Sequence, residues 1–182
     1  MINITQYLQD IYEDLQRYID NDVCLCKFKE LNFEAGALPD YEDINIQQLY
    51  LLRYAFAYAF EYSRMYLDVL SQMDDVNNIS VISVGCGSMI DYWSLVHALE
   101  MRRKIGCSIR YVGIDKIDWN YKIPKRQNDE VHYLIGNAAD IFTNNSQFIS
   151  DVYFFPKSIS EFSDCELNAM ANSFSSKKIQ KK

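Results

Sequence analysis

The sequence has only two histidines and no cysteine arrangement that completes a zinc site. Its five cysteines are an odd number. Cys24 and Cys26 lie close together, while Cys86, Cys107 and Cys165 are scattered. No second close pair and no nearby histidine supplies the other ligands of a tetrahedral site, so free thiols are expected and no metal. His97 and His132 fall in a predicted helix and a predicted strand, where packing is expected rather than catalysis. No apolar run is long enough for a bilayer. LYLLRYAFAYAF at 49–60 is interrupted by Arg53 and falls short of the ~20 residues a spanning helix needs. The start, MINITQYLQDIYEDLQ, has neither the basic residues nor the apolar centre of a secretory signal. A soluble, cytoplasmic protein with no membrane partner is expected. Internal repeats and low-complexity segments are also missing.

What is present is an uneven charge. Residues 1–50 hold ten acidic and three basic side chains, a net of −7, which equals the net charge of all 182 residues. The remainder is therefore neutral. Its basic residues gather at RRK 102–104, KIPKR 122–126 and the terminal KKIQKK. An acidic chain is not built for tight non-specific nucleic-acid binding. The basic clusters leave a nucleic-acid partner open, with solvated faces as the ordinary reading.

The length suggests one domain with two parts: a helical segment over 1–75 and an α/β core over 76–182. Ile4, Leu8, Ile11, Leu15 and Ile19 recur at three- or four-residue steps, the mark of a helix with one apolar face. Gly36 and Pro39 break the chain. Residues 46–70 then contain neither glycine nor proline and predict one long helix. Along it Tyr50, Tyr54, Tyr58, Tyr62 and Tyr66 repeat every four residues. Each step drifts by about 40° round the axis, so most should pack and one or two could line a site. From residue 79 strands and helices alternate. ISVISV (79–84), SIRYVGID (108–115), VHYLIG (131–136) and DVYFF (151–155) predict strands, and 89–104 a helix with Trp93, Leu95, Val96 and Leu99 buried. Ser163 followed three residues later by Glu166 forms a capping-box signature for a last helix over about 164–174. This alternation predicts a parallel sheet with helices on both faces.

Ligands of such sheets bind beyond the carboxyl ends of the strands. Gly85 and Gly87 follow the first strand and allow a sharp turn with no Cβ in a ligand's way. Asp115 closes the second strand, where a carboxylate can accept from both hydroxyls of a ribose. Asn137 follows the third strand, and Phe155-Pro156 ends the fourth. Together they describe a site for an adenosine-bearing ligand. A dinucleotide turn would place a third glycine where Ile90 stands, with the acid roughly 20 residues on. Asp115 lies 28 residues after Gly87, and no second nucleotide-binding half follows. A nicotinamide enzyme is the weaker reading.

The motifs VISVGCGSM, YVGID, LIGNAADIF and DVYFFPKS resemble, in order, the first four of the class I S-adenosylmethionine-dependent methyltransferases, over about 79–160. The resemblance implies a Rossmann-like methyltransferase fold, about four strands in the order 3-2-1-4 behind the helical segment, with S-adenosylmethionine as cofactor. It implies that Gly85, Cys86 and Gly87 border the methionine end, that Asp115 binds the ribose, and that Asn137 and Ala138 meet the adenine. Phe155, Pro156, Lys157 and Ser158 would border the methyl acceptor, which is a small molecule, an RNA or a protein. Glu161, Tyr50, Tyr54 and Arg53 are further candidates; Arg53 could pair with a cofactor carboxylate or lie at the surface. The pattern departs at Met89, where the family has a third glycine, and at Asn137, where it has aspartate. The fourth motif is not the D/N-P-P-Y of amino-methylating enzymes.

The family's sheet normally has seven strands, and no clear strand follows Phe155 here. VYFF would be an exposed apolar edge, a liability for aggregation. A longer protein of which this is the front part, a homodimer paired across that edge, or a covering helix would each resolve it. Two functions stay open: an active methyltransferase, or a methyltransferase-like binding or regulatory module that has lost catalysis.

Overall fold

The computed structural model describes residues 3–19, 39–73, 77–144 and 149–178. Cys24, Cys26, Gly36 and the last four residues of the terminal basic cluster lie outside them, as does the side chain of Ile19. Helix α1 spans Ile4–Ile19 and α2 Ile44–Ser71. Strand β1 (Asn78–Val84), helix α3 (Ile90–Met101), β2 (Ser108–Asp115), β3 (Glu130–Ile135), α4 (Ala138–Asn144), β4 (Val152–Phe154) and α5 (Asp164–Lys178) follow. The four strands are parallel in the order β3-β2-β1-β4, a Rossmann-like arrangement.

Alternation along the strands divides the core. Ile79 and Val81 of β1 and Ile109 and Tyr111 of β2 face the side covered by α1, α2 and α3. Ile82, Val84 and Ile114 face α4 and α5. With both faces of the central strands covered, the buried positions of β1 and β2 are mostly apolar, as in buried parallel strands, while Arg110, Glu130 and His132 stand exposed. Ile4, Leu8, Ile11 and Leu15 of α1 are buried, as their spacing predicts. Helix α3 is buried almost all round, beyond the predicted stripe, because it lies between α2 and the sheet. It stops at Met101, short of the predicted 104. Arg103 turns left-handed (φ 57°), and the Lys104 N–H reaches the Leu99 carbonyl at 2.8 Å.

The capping box is formed. The Ser163 N–H donates to Glu166 Oε2 at 2.9 Å, and the Glu166 N–H to Ser163 Oγ at 3.3 Å. Strand β4 is three residues long. Phe154 is covered by Tyr62 and Tyr66, while Tyr153 and Phe155 pack on the α4–α5 side. Short length is one way native sheets blunt an edge. Among the described residues no helix is long and apolar enough to cross a membrane.

The basic cluster at 122–126 does structural work. Arg126 donates through Nε and NH2 to Asp129, which also accepts from Tyr92 Oη (2.5 Å) and the Ile109 N–H. Lys122 pairs with Asp118 and lies over the Tyr133 ring. His97 stacks on Trp93 at 4.9 Å, and His132 sits exposed beside Glu130.

Candidate functional site

The register aligns the strand ends, so the turns after β1, β2 and β3 share one edge. At the first turn the Gly85 and Cys86 N–H groups both donate to the Ile114 carbonyl, at 2.8 and 3.2 Å. Gly85 (φ 71°), Gly87 (φ 51°) and Met89 (φ 64°) are all left-handed. Met89 thus adopts the backbone a glycine would favour, at a cost of about 1–2 kcal/mol, and its buried side chain joins the core.

The glycines do not leave open floor. A Cβ on Gly85 would stand 2.3 Å from Ser158 Cβ, so the loop after β4 fills that space. At Gly87 the Trp119 ring lies 3.5 Å from where a Cβ would be. Trp119 is positioned from α2: the buried Gln47 side chain accepts from the Asn120 N–H at 2.9 Å and donates to the Tyr41 carbonyl at 2.7 Å. Beside it Gln48 donates to Tyr121 Oη, and Tyr7 of α1 donates to the Tyr121 carbonyl.

Asp115 ties the turn to β2. One carboxylate oxygen accepts from the Gly87 N–H at 2.7 Å, the other from Ile117 N–H at 3.0 Å. Burial pushes its carboxyl upward, and these bonds hold it down in part.

A cavity of about 240 Å³ opens above this edge. Gly85, Cys86, Gly87, Asp115 and Ala138 line it, with Pro156, Lys157 and Ser158 from the loop after β4. Four named candidates, Asn137, Phe155, Arg53 and Tyr54, are not among the lining residues. Asn137 caps α4, accepting from the Ala139 N–H at 2.8 Å, and donates to Glu166 of α5 at 3.0 Å. Phe155 stands against Phe162 on the α5 side. Arg53 is exposed, its guanidinium 5.1 Å from the Tyr54 ring centroid.

Three of the five repeating tyrosines, Tyr50, Tyr58 and Tyr62, line the cavity, more than the helical drift suggested. Their long side chains make up the angle, stacking through Tyr54, which contacts Tyr50 and Tyr58. Tyr66 is fully buried and stacks on Phe154. The polar candidates of the β4 loop are largely engaged. Ser158 Oγ donates to the Val84 carbonyl, and Lys157 Nζ pairs with Glu61 at 2.6 Å.

Asp91, Tyr41 and Trp119 also line the cavity, and the sequence reading missed them. Asp91 had a signal, as the acid in the otherwise uncharged start of α3. Its two oxygens lie 2.9 and 3.1 Å from the donating Tyr111 hydroxyl, and burial pushes its carboxyl up to about 6. Glu161 is raised by burial first and by the Asp115 charge second. Burial also raises the Cys86 thiol well above its usual range, which disfavours the thiolate.

No protein-family model matches the chain, and no curated protein matches it. A solved structure described as MNMC2 from Aquifex aeolicus is similar at 13% identity, covering 89% of this chain and 70% of that one, with a TM-score of 0.47. A likeness of that size assigns no residue a role.

Proposed function

We propose that the cavity binds S-adenosylmethionine and that the protein transfers its methyl group to an acceptor. The supporting observation is Asp115: a partly buried carboxylate at the tip of β2, bonded to the glycine turn and lining the cavity. Its two oxygens accept the Gly87 and Ile117 N–H groups, with the Lys116 N–H and the Trp119 side chain also stabilising its charge, and a carboxylate's four acceptor positions suit ribose hydroxyls as further donors. The lining suits a sulfonium, because aromatic rings and carboxylates stabilise a cation. The cofactor would supply an already activated methyl. The chain's part is positioning and exclusion of water, by Asp115 below, Trp119 beside the turn, and the tyrosines of α2 above.

Calorimetry tests the reading. S-adenosylmethionine should bind and NAD should not. Adenosine should bind about tenfold or more tightly than either 2′-deoxyadenosine or 3′-deoxyadenosine, the loss of a hydrogen bond to a charged group. Equal affinities for all three nucleosides would remove Asp115 from the ribose. The second reading, a methyltransferase-like module without catalysis, draws on the engagement of Lys157 and Ser158 in structural bonds. Cofactor binding with no turnover in cell extract would favour it.

A further inference from the structure

The wall that α2 gives the cavity is aromatic. Tyr50 meets the Tyr41 ring edge-on at 5.4 Å and Trp119 at 5.5 Å, and Tyr58 and Tyr62 continue the wall. The charge of the lining is negative on balance. Asp91, Asp115 and Glu161 stand against Lys116 and Lys157, and Lys157 is committed to Glu61 outside the lining. No hydrogen bond or ion pair within 4 Å engages the Glu161 side chain among the described residues; it stands near enough to Asp115, which raises its carboxyl, and to Lys116, which lowers it, for their charges to interact. One cation already rests on this wall: Lys157 Nζ lies 5.6 Å from the Tyr58 ring centroid, within cation–π range. An anionic ligand would meet three carboxylates here, whereas a cation would gain from both rings and charges.

We propose that the tyrosine wall is a subsite for a small organic ammonium ion, held against Tyr50, Tyr58 and Tyr62 where they line the cavity, with Glu161 as its counter-charge. The role of such an amine as methyl acceptor rests on the cofactor reading above; its binding does not.

The test is calorimetry of the full chain with choline and with its neutral carbon isostere 3,3-dimethylbutan-1-ol, with and without saturating S-adenosylhomocysteine. Choline should bind about tenfold or more tightly than the isostere. Glu161→Gln should reduce that ratio several-fold, and Tyr58→Leu should reduce it independently. Choline should still bind when S-adenosylhomocysteine is present. Equal affinity for choline and the isostere, no saturable choline binding, or displacement of choline by S-adenosylhomocysteine would each overturn the proposal. Failure of S-adenosylhomocysteine to bind would sink the cofactor reading alone, and the choline-to-isostere ratio would then decide the subsite by itself.

Discussion

Gly85→Ala probes the joint on which the cavity floor depends. The new Cβ would stand 2.3 Å from Ser158 Cβ and 2.8 Å from its Oγ. Ser158 cannot simply swing aside: it is buried, and its hydroxyl satisfies the Val84 carbonyl. Overpacking of this kind costs about 1–3 kcal/mol, and a left-handed alanine about 1–2 kcal/mol more. Gly85→Ala should therefore lose roughly 2–5 kcal/mol, a large part of the ~5–15 kcal/mol that holds a typical fold. Gly87→Ala carries the same backbone strain with only an ordinary contact to Trp119, and should lose about 1–2 kcal/mol. Ser158→Gly alone loses the hydroxyl bond and frees the backbone, for about 1–2 kcal/mol. The double variant removes the clash. It should be more stable than the sum of the singles by about 1–3 kcal/mol, a coupling that only residues in contact show. Urea unfolding followed by circular dichroism gives all four values. Additive losses, or a Gly85→Ala no worse than Gly87→Ala, would refute the contact.

Met89→Ala and Met89→Gly both empty a buried site, at about 2–5 kcal/mol, but glycine should be the more stable of the two by about 1 kcal/mol because the position is left-handed. The opposite order in urea midpoints would reject the strained helix start. Asp91 titrates at about 6 in the fold against 3.8 unfolded, so its contribution is fully present below about pH 4 and is lost as pH rises through about 6. Asp91→Asn keeps an acceptor for the Tyr111 hydroxyl; it should gain up to roughly 3 kcal/mol at pH 7.5 and flatten the stability profile between pH 4 and 6, with Asp115 and Glu161 leaving a residual slope of the same sign. A lower midpoint at pH 7.5 would contradict the buried charge. Asn137→Ala should cost about 1 kcal/mol as a lost helix cap and leave S-adenosylmethionine affinity unchanged; a tenfold weaker affinity would make Asn137 a ligand contact after all.

The parts of this molecule that a reader of the sequence can see are those whose causes are local. A β-branched run stopped by Gly85 becomes β1, an acid at a strand end becomes the tip of β2, and Ser163 with Glu166 becomes a helix start. Each is decided within a few residues by backbone preference or side-chain period. Helix α4 escaped because it is only seven residues long, too short for a periodic signal, and is started by Asn137, which a ligand reading had claimed. The cavity is a different matter. Its floor is closed by Ser158 against Val84, 74 residues apart, and its tryptophan is set by Gln47 holding Asn120, 73 residues apart. In isolation IQQLYLL offers two polar residues that a helical pattern would turn to solvent, yet Gln47 and Gln48 are both fully buried. Gln47 is bonded at both ends of its amide, to Asn120 and Tyr41, and the Gln48 amide nitrogen donates to Tyr121 Oη while its oxygen is left without a partner among the described residues; a buried amide costs stability unless it is bonded. A glutamine pair inside an apolar helix is thus a trace of a distant polar loop. The loop it holds places Trp119 over Gly87, where the glycine motif alone had suggested room for a ligand. The motif locates the edge of the sheet at which the cavity forms; the long-range clasps decide its shape, and they act between positions that no local period connects.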